Sequence, residues 1–271
     1  MKIGLCVGVP APDDAPSGTD MIRTAAEIGY DYIEMPLASL SELDESEFAR
    51  VKQKLAAARI ACECLNVFLP SKARLTGEGI ELSSLRGYVN KALARAHEIG
   101  ACIVVFGSGG ARKIPEGYPY EKAFGQLTDA LKTISDTAEK YKIDIVIEPL
   151  NHNETNIILG MEEADRLTMA VARPNVKILL DYYHFMLESD STDTLKKLLH
   201  DKKIIHTHFA DPEGRVYPYE NKPEYAHVFN LLREEGYDAR CSIEARLNDP
   251  GTPRAEMETG LAAMRKIIGG I

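Results

Sequence analysis

The sequence contains no tryptophan, and aromatic residues fill only 7% of its 271 positions. Basic residues are also short: 32 Lys and Arg stand against 41 Asp and Glu, a formal net charge of −9. Nucleic-acid affinity rests on phosphate neutralisation, so an acidic chain without a basic stripe is a poor candidate for that class. No apolar stretch approaches the roughly 18 residues of a membrane span. No basic leader with a cleavage site is expected, since the first residues read Lys2-Ile3-Gly4-Leu5. A cytoplasmic protein with no membrane and no nucleic-acid partner is the expectation. The five cysteines, at 6, 62, 64, 102 and 241, include no CxxC pair. Each lies in or beside an apolar, strand-like run, so reduced buried thiols are expected, with Cys62 and Cys64 on one strand face. No linker rich in Pro, Ser or Gly divides the chain, which predicts a single domain over residues 1–271.

What is present is a regular alternation of short apolar runs and longer 3.6-period segments. Strands are expected at Ile3–Val9, Tyr32–Met35, Ile60–Val67, Cys102–Phe106, Asp144–Glu148, Val176–Asp181, Ile204–His208 and Arg240–Glu244. Helices are expected at Met21–Ile28, Ser46–Ala58, Leu82–Ile99, Tyr120–Tyr141, Met161–Ala172, Thr194–His200, Glu224–Glu235 and Pro253–Ile268. Ser46 and Glu47 suit the start of the second helix. Alternating strands and helices require right-handed parallel crossovers, and eight such units in about 250 residues make a closed (β/α)8 TIM barrel of the α/β class. An open doubly wound sheet is the competing architecture.

In such a barrel function collects at the C-terminal strand ends and the loops beyond them. Those ends carry Glu34, Asn66, Glu148, Asp181, His208 and Glu244. Singly, each has an ordinary explanation; an Asp after a strand usually caps the next helix. Four consecutive strands, the fifth to the eighth, each ending in a metal-ligand residue is a different matter. Three carboxylates brought together repel one another unless a cation sits between them. Glu148, Asp181, His208 and Glu244 are therefore the candidate ligands of one divalent metal ion. The oxygen-rich set favours Mn2+ first, with Mg2+ or Co2+ as alternatives, over a structural zinc that would recruit thiolates. His206 shares a strand face with His208 and is expected in the barrel interior. His184 follows Asp181 closely enough to reach a substrate oxygen, and Arg215 could clamp an anion or a hydroxyl pair. Glu154 lies in an unusually polar connection, Asn151-His152-Asn153-Glu154-Thr155. The Gly107–Gly110 loop lacks the Lys-Ser/Thr ending of a P-loop, so backbone freedom is its expected purpose.

These strand-end residues resemble the xylose-isomerase-like superfamily of sugar isomerases and epimerases, and within it the ketose 3-epimerases of the D-tagatose and D-allulose type. Glu148-Pro149-Leu150-Asn151 with Glu154-Thr155 is similar to that family's metal-glutamate segment. Asp181 with His184 and Glu188, His206-x-His208 with a downstream Arg and Pro, and Ser242-Ile243-Glu244 resemble its next three strand ends. The resemblance implies that Glu148 and Glu244 are both metal ligands and an acid/base pair on opposite faces of a substrate. It implies that Asp181 and His208 complete the metal shell, and that His184, Arg215 and Glu154 hold substrate oxygens and orient Glu148. Asn66 and Glu34 are counted with the groups that meet the substrate.

The implied reaction is isomerisation or epimerisation of a small keto sugar through an enediolate, with homo-oligomerisation left open. His152 and Asn153 stand where the epimerases carry an Arg and an aromatic residue, and the loop from His208 to Arg215 is one residue longer. Both departures touch the substrate side, so a lyase or dehydratase acting on a keto-inositol or a 3-keto-glycoside is the alternative. A zinc-dependent AP endonuclease is a remote one, given seven histidines and the acidic charge. With no tryptophan, rings that stack on a sugar have to come from residues such as Phe68, Phe106, Tyr183 or Phe209.

Overall fold

Each β-branched run of this chain is short and ends in a polar or turn residue, which suits strands buried on both faces by flanking helices. The computed structural model describes residues 1–8, 17–70, 72–249 and 251–270. Among them, eight strands form in order: β1 (Lys2–Cys6), β2 (Tyr32–Pro36), β3 (Ala61–Asn66), β4 (Ile103–Phe106), β5 (Asp144–Ile147), β6 (Val176–Asp181), β7 (Ile204–Phe209) and β8 (Arg240–Ile243). All neighbours pair in parallel, and β8 closes onto β1 through Lys2↔Arg240 to Leu5↔Ile243. The closure decides for the barrel over the open sheet. The expected end of the first strand at Val9 lies outside the described residues.

The connecting helices are α1 (Met21–Ile28), α2 (Leu37–Glu42), α3 (Glu45–Ala58), α4 (Leu82–Glu98), α5 (Gly109–Arg112), α6 (Tyr120–Ala138), α7 (Met161–Val171), α8 (Tyr182–Leu187), α9 (Thr192–His200), α10 (Pro223–Glu234) and α11 (Pro253–Gly269). Helix α3 starts one residue before the expected Ser46, because Asp44 caps it and Glu47 closes a capping box. The segment expected to end one long helix at Tyr141 tightens into a 3-10 turn over Glu139–Tyr141. Helices α2, α5 and α8 were not expected from periodicity. Each is one or two turns long and follows a strand end, too short for a 3.6-period pattern to show. None of the helices in the described residues is long and apolar enough to cross a membrane.

Strand alternation sorts the side chains into two populations. Ile33, Val104, Ile145, Ile147, Ile178, Leu180 and Phe209 face outward into the large core shared with the helices. Tyr32, Cys64, Ile103, Val105, Val146 and Leu179 fill the barrel interior. Two irregularities reset this alternation, between Tyr32 and Glu34 on the β2–β3 pair and between Ile178 and Leu179 on the β6–β7 pair. The first corrects the expectation for Cys62 and Cys64. Ala61 pairs with Tyr32 but Cys64 with Glu34, so an extra residue enters β3 and the two thiols part. Cys62 packs in the outer core while Cys64 points inside. The cysteines are free, and all but the half-buried Cys102 are buried.

Candidate metal centre

The same alternation carries inward-facing positions up each strand to the C-terminal mouth. Glu148 directly follows β5, and Asp181 ends β6. On β7 His208 stands opposite Asp181, and Glu244 directly follows β8. Each of the four offers one ligand atom, all within 4.8 Å of one another, and all four residues are buried. His208 Nδ1 lies 3.2 Å from Glu148 Oε1 and 3.5 Å from Glu244 Oε2. Asp181 does two things at once. Its Oδ1 caps α8 by accepting the amides of Tyr183 at 2.7 Å and His184 at 3.3 Å, which leaves Oδ2 to the cluster.

Charge is distributed unevenly here. Burial pushes the Glu148 carboxyl up, with Glu244 and Asp181 adding repulsion and His208 opposing. Burial acts on Glu244 as well, but the His208 and Arg215 charges outweigh it and hold that carboxyl far below the usual range. Burial alone would lower His208; Glu34 and Glu244 instead drive it well above the ordinary histidine value. An imidazole edge turned toward two carboxylates, beside a third, is a donor set that a divalent cation fits. Orphaned polar atoms surround it. Asn66 Oδ1, His184 Nε2 and Arg215 Nε are buried without a hydrogen-bond partner.

The remaining candidates fall at different depths. His184 Nε2 comes within 3.6 Å of Asp181 Oδ2, and its Nδ1 is held by the Asn151 backbone and side-chain amides at 3.2 and 2.8 Å. Arg215 donates to Glu244 Oε2 at 2.6 Å and to Glu154 Oε1 at 3.0 Å, with its guanidinium 4.9 Å from the centre of the Tyr183 ring. Its backbone sits at φ 55°, a left-handed conformation rare for arginine, and its carbonyl is fastened by the Arg246 amide at 2.7 Å. Asn66 lies beside Glu244, 3.5 Å from Nδ2 to Oε1. A cavity of about 290 Å³ opens above these groups, lined among others by Asn66, Gly107, Glu148, Glu154, Arg215 and Glu244.

Glu34 is not where a substrate contact would be. It is 0% exposed, one layer below the mouth, and both oxygens are taken by His206, His208 and Ser242. His206 is an interior residue, as expected, bonded to Glu34 at 2.9 Å. The ring-stacking expectation is corrected at three of four positions. Phe68, Phe106 and Phe209 belong to the outer core, and Phe209 packs against Tyr182, Tyr225 and Phe229. Only Tyr183 stands at the mouth, beneath Arg215. His152 is exposed on the rim and bonds Glu188 at 2.6 Å. Gly107 and Gly109 of the Gly107–Gly110 segment are held small by sterics, whereas Gly110 faces open space. A Cβ on Gly107 would fall 1.8 Å from Glu148 Oε2, and one on Gly109 2.9 Å from Leu150 Cδ1.

Sequence reasoning passed over Arg112 and Cys6. Arg112, 0% exposed, donates to the carbonyls of Phe106 at 3.1 Å and Glu148 at 2.7 Å, tying the ends of β4 and β5 together. Cys6 is buried against Glu244 Oε1 at 3.7 Å and accepts from Asn66 Nδ2 at 2.9 Å. No motif marks either residue; Arg112 follows a glycine-rich loop that reads as surface.

A closed eight-stranded parallel barrel with three carboxylates and an imidazole converging at its C-terminal mouth has the layout of the α/β-barrel enzymes. The chain belongs to the xylose isomerase-like TIM barrel family, which it matches over residues 22–267. It is 23% identical over 259 residues to a fructoselysine 3-epimerase of Escherichia coli O157:H7, covering 91% of this chain and 92% of that one. A 3-dehydro-D-guloside 4-epimerase of Escherichia coli K12 is 27% identical over 123 residues, and the chain spans only 45% of that relative's length. A D-psicose 3-epimerase solved in the presence of D-fructose superposes over the full length of both chains, with a TM-score of 0.84 at 18% identity.

Proposed function

We propose that this protein is a divalent-metal-dependent epimerase or isomerase of a keto sugar. The carrying observation is the convergence of Glu148, Asp181, His208 and Glu244 within 4.8 Å beside an open cavity. The activities of the relatives named above support the same reading. The four residues would hold one cation, Mn2+ by preference, which on binding would polarise a carbonyl and stabilise charge on neighbouring substrate oxygens. Glu148 and Glu244 would also move protons at the carbon beside the carbonyl. Glu244, kept ionised by His208 and Arg215 against the effect of burial, suits the removal of a proton. Glu148, whose carboxyl burial pushes up, suits holding and returning one. Arg215, His184 and Asn66 would orient substrate oxygens, with Glu154 fixing Arg215.

The test is a panel of ketoses and 3-keto-glycosides incubated with protein and Mn2+ in D2O and followed by NMR. Deuterium is expected at the carbon beside the carbonyl, with a product of inverted or isomerised configuration. Glu244→Gln should stop the exchange while retaining metal. An unsaturated or cleaved product would move the assignment to a lyase or dehydratase. A purified protein that neither contains a divalent metal nor gains stability from Mn2+ would end the metal reading.

A further inference from the structure

The barrel interior beneath the mouth holds a polar network that the reaction proposed above does not use. Glu34 on β2 is its centre. Its Oε1 lies 3.0 Å from His208 Nε2, and its Oε2 lies 2.9 Å from His206 Nε2. Ser242 Oγ donates to the same Oε2 at 2.5 Å, and Tyr32 hydroxyl meets Ser242 Oγ at 2.8 Å. Two strands, β7 and β8, thus send side chains to one carboxylate of β2 with no exposure to solvent. A carboxylate so placed is costly unless its lone pairs are met, and here donors reach both oxygens.

The arrangement constrains His208. Glu34 is an acceptor when ionised, so the proton on His208 must sit on Nε2 to be donated to it. The ring's other nitrogen, Nδ1, is the one turned toward Glu148 and Glu244. A ligand histidine needs its lone pair on the side of the ion and its proton on the side of an anchoring acceptor, and this geometry supplies both. His206 locks the carboxylate plane from below, its ring 4.9 Å from that of His208 and nearly perpendicular to it.

We propose that Glu34 is a positioning residue that fixes the tautomer and ring plane of His208, presenting Nδ1 to a divalent cation at the barrel mouth. The inference rests on the metal reading of the site and adds to it the reason why an acidic residue occupies the interior below. Its reach is metal affinity and ligand geometry, and it involves no contact with substrate.

The test compares wild type with Glu34→Gln in metal-free and loaded forms. Affinity for Mn2+ is read by titration calorimetry and the ligand field by the visible spectrum of the Co2+-substituted protein. Glu34→Gln is expected to weaken Mn2+ binding about 10–100-fold and to alter the Co2+ spectrum, while the far-UV circular dichroism of the metal-free protein is unchanged. Unaltered affinity and spectrum in Glu34→Gln would overturn the inference and leave the metal site standing. Failure of the wild type to bind either ion would overturn both. Should Glu34→Gln not fold, nitrogen-15 NMR of the histidines in the wild type loaded with diamagnetic Mg2+ decides alone. A proton on Nε2 of His208 is expected, and a proton on Nδ1 would refute the assignment.

Discussion

Gly107 and Glu148 approach so closely that a methyl group on the glycine α-carbon would sit 1.8 Å from Glu148 Oε2. Both lie on inward-facing positions just past neighbouring strand ends, so the missing side chain is what gives the carboxylate its place. Gly107→Ala should leave the barrel folded, because the atom displaced is the end of a side chain. The carboxylate would have to swing away, and a misplacement of about 1 Å is worth roughly 100-fold in rate. The expected result is that scale of loss in solvent-deuterium exchange, together with weaker Mn2+ binding. Exchange at the wild-type rate would show that Glu148 tolerates another position.

The relation of Gly107 to Glu148 also marks how far the sequence could be read. The strand ends were legible because each apolar run stops at a polar residue, and alternation then brings Glu148, Asp181, His208 and Glu244 to one mouth. Depth was not legible. Glu34 is also a polar residue near a strand end, yet it sits opposite Cys6 and Cys64 and lies below the ring of candidate ligands. Which residues share a layer depends on barrel stagger and on the two register shifts, and neither is written in hydrophobic periodicity. Phe209 could have been placed correctly, since a residue adjacent to inward-facing His208 must face the helices. Arg112 could not, because its role depends on carbonyls of two strands.

Arg112 carries a testable stability effect of its own. Burial lowers its guanidinium to about 10, with Glu148 opposing, and its hydrogen bonds go only to backbone carbonyls. Arg112→Met removes the buried charge but strands the Glu148 carbonyl, while the Phe106 carbonyl keeps the Glu148 amide at 3.3 Å. An unsatisfied buried acceptor costs about 1–3 kcal/mol, and relief of the buried charge offsets part of the total. A net loss of about 1 kcal/mol is expected, read as a lower urea midpoint with an unchanged slope. A variant as stable as wild type would mean that the strand ends are held by other contacts.

Arg215→Lys keeps the positive charge at the mouth but cannot span Glu154 and Glu244 together, nor lie flat against Tyr183. A hydrogen bond to a charged partner contributes about 1.5–3 kcal/mol, so kcat/KM should fall roughly 10–100-fold. Mn2+ affinity should change little, because Arg215 touches the ligand Glu244 from outside the cluster. If KM and kcat are both unchanged, the guanidinium fork has no part in the reaction.

On the far side of α7, Asp165 receives Lys203 and, at 3.3 Å, Lys197. Burial would raise its carboxyl, but the two lysines more than compensate and hold it below the usual value. A depressed folded pKa stabilises the fold at pH above the ordinary value of about 3.9, and the contribution fades as the pH falls below it. Asp165→Asn should therefore lose at most about 1 kcal/mol at pH 7, because both lysines are partly exposed and screened by solvent, and converge with wild type under acid conditions. Thermal melts of the two proteins across pH 3–7 check it. A gap that persists undiminished at the acid end would assign the loss to packing instead of charge.

His208 sets the opposite dependence at the candidate metal centre. Burial disfavours its charged form, yet Glu34, Glu244 and Glu148 raise its pKa well above the usual histidine value of about 6.5. In the metal-free protein the protonated ring therefore stabilises the fold below that value, and this contribution is lost as pH rises through the folded pKa. A cation at Nδ1 competes for the same lone pair, so binding has to expel the proton. Mn2+ affinity should climb by up to about tenfold per pH unit while His208 remains protonated in the free protein. The stability gained on adding Mn2+ should widen over the same range. Calorimetry at pH 7 in two buffers of different ionisation enthalpy counts the protons, and release of about one per ion is expected. Binding that releases none, with affinity flat in pH, would remove His208 from the ligand set and leave three carboxylates to hold the ion.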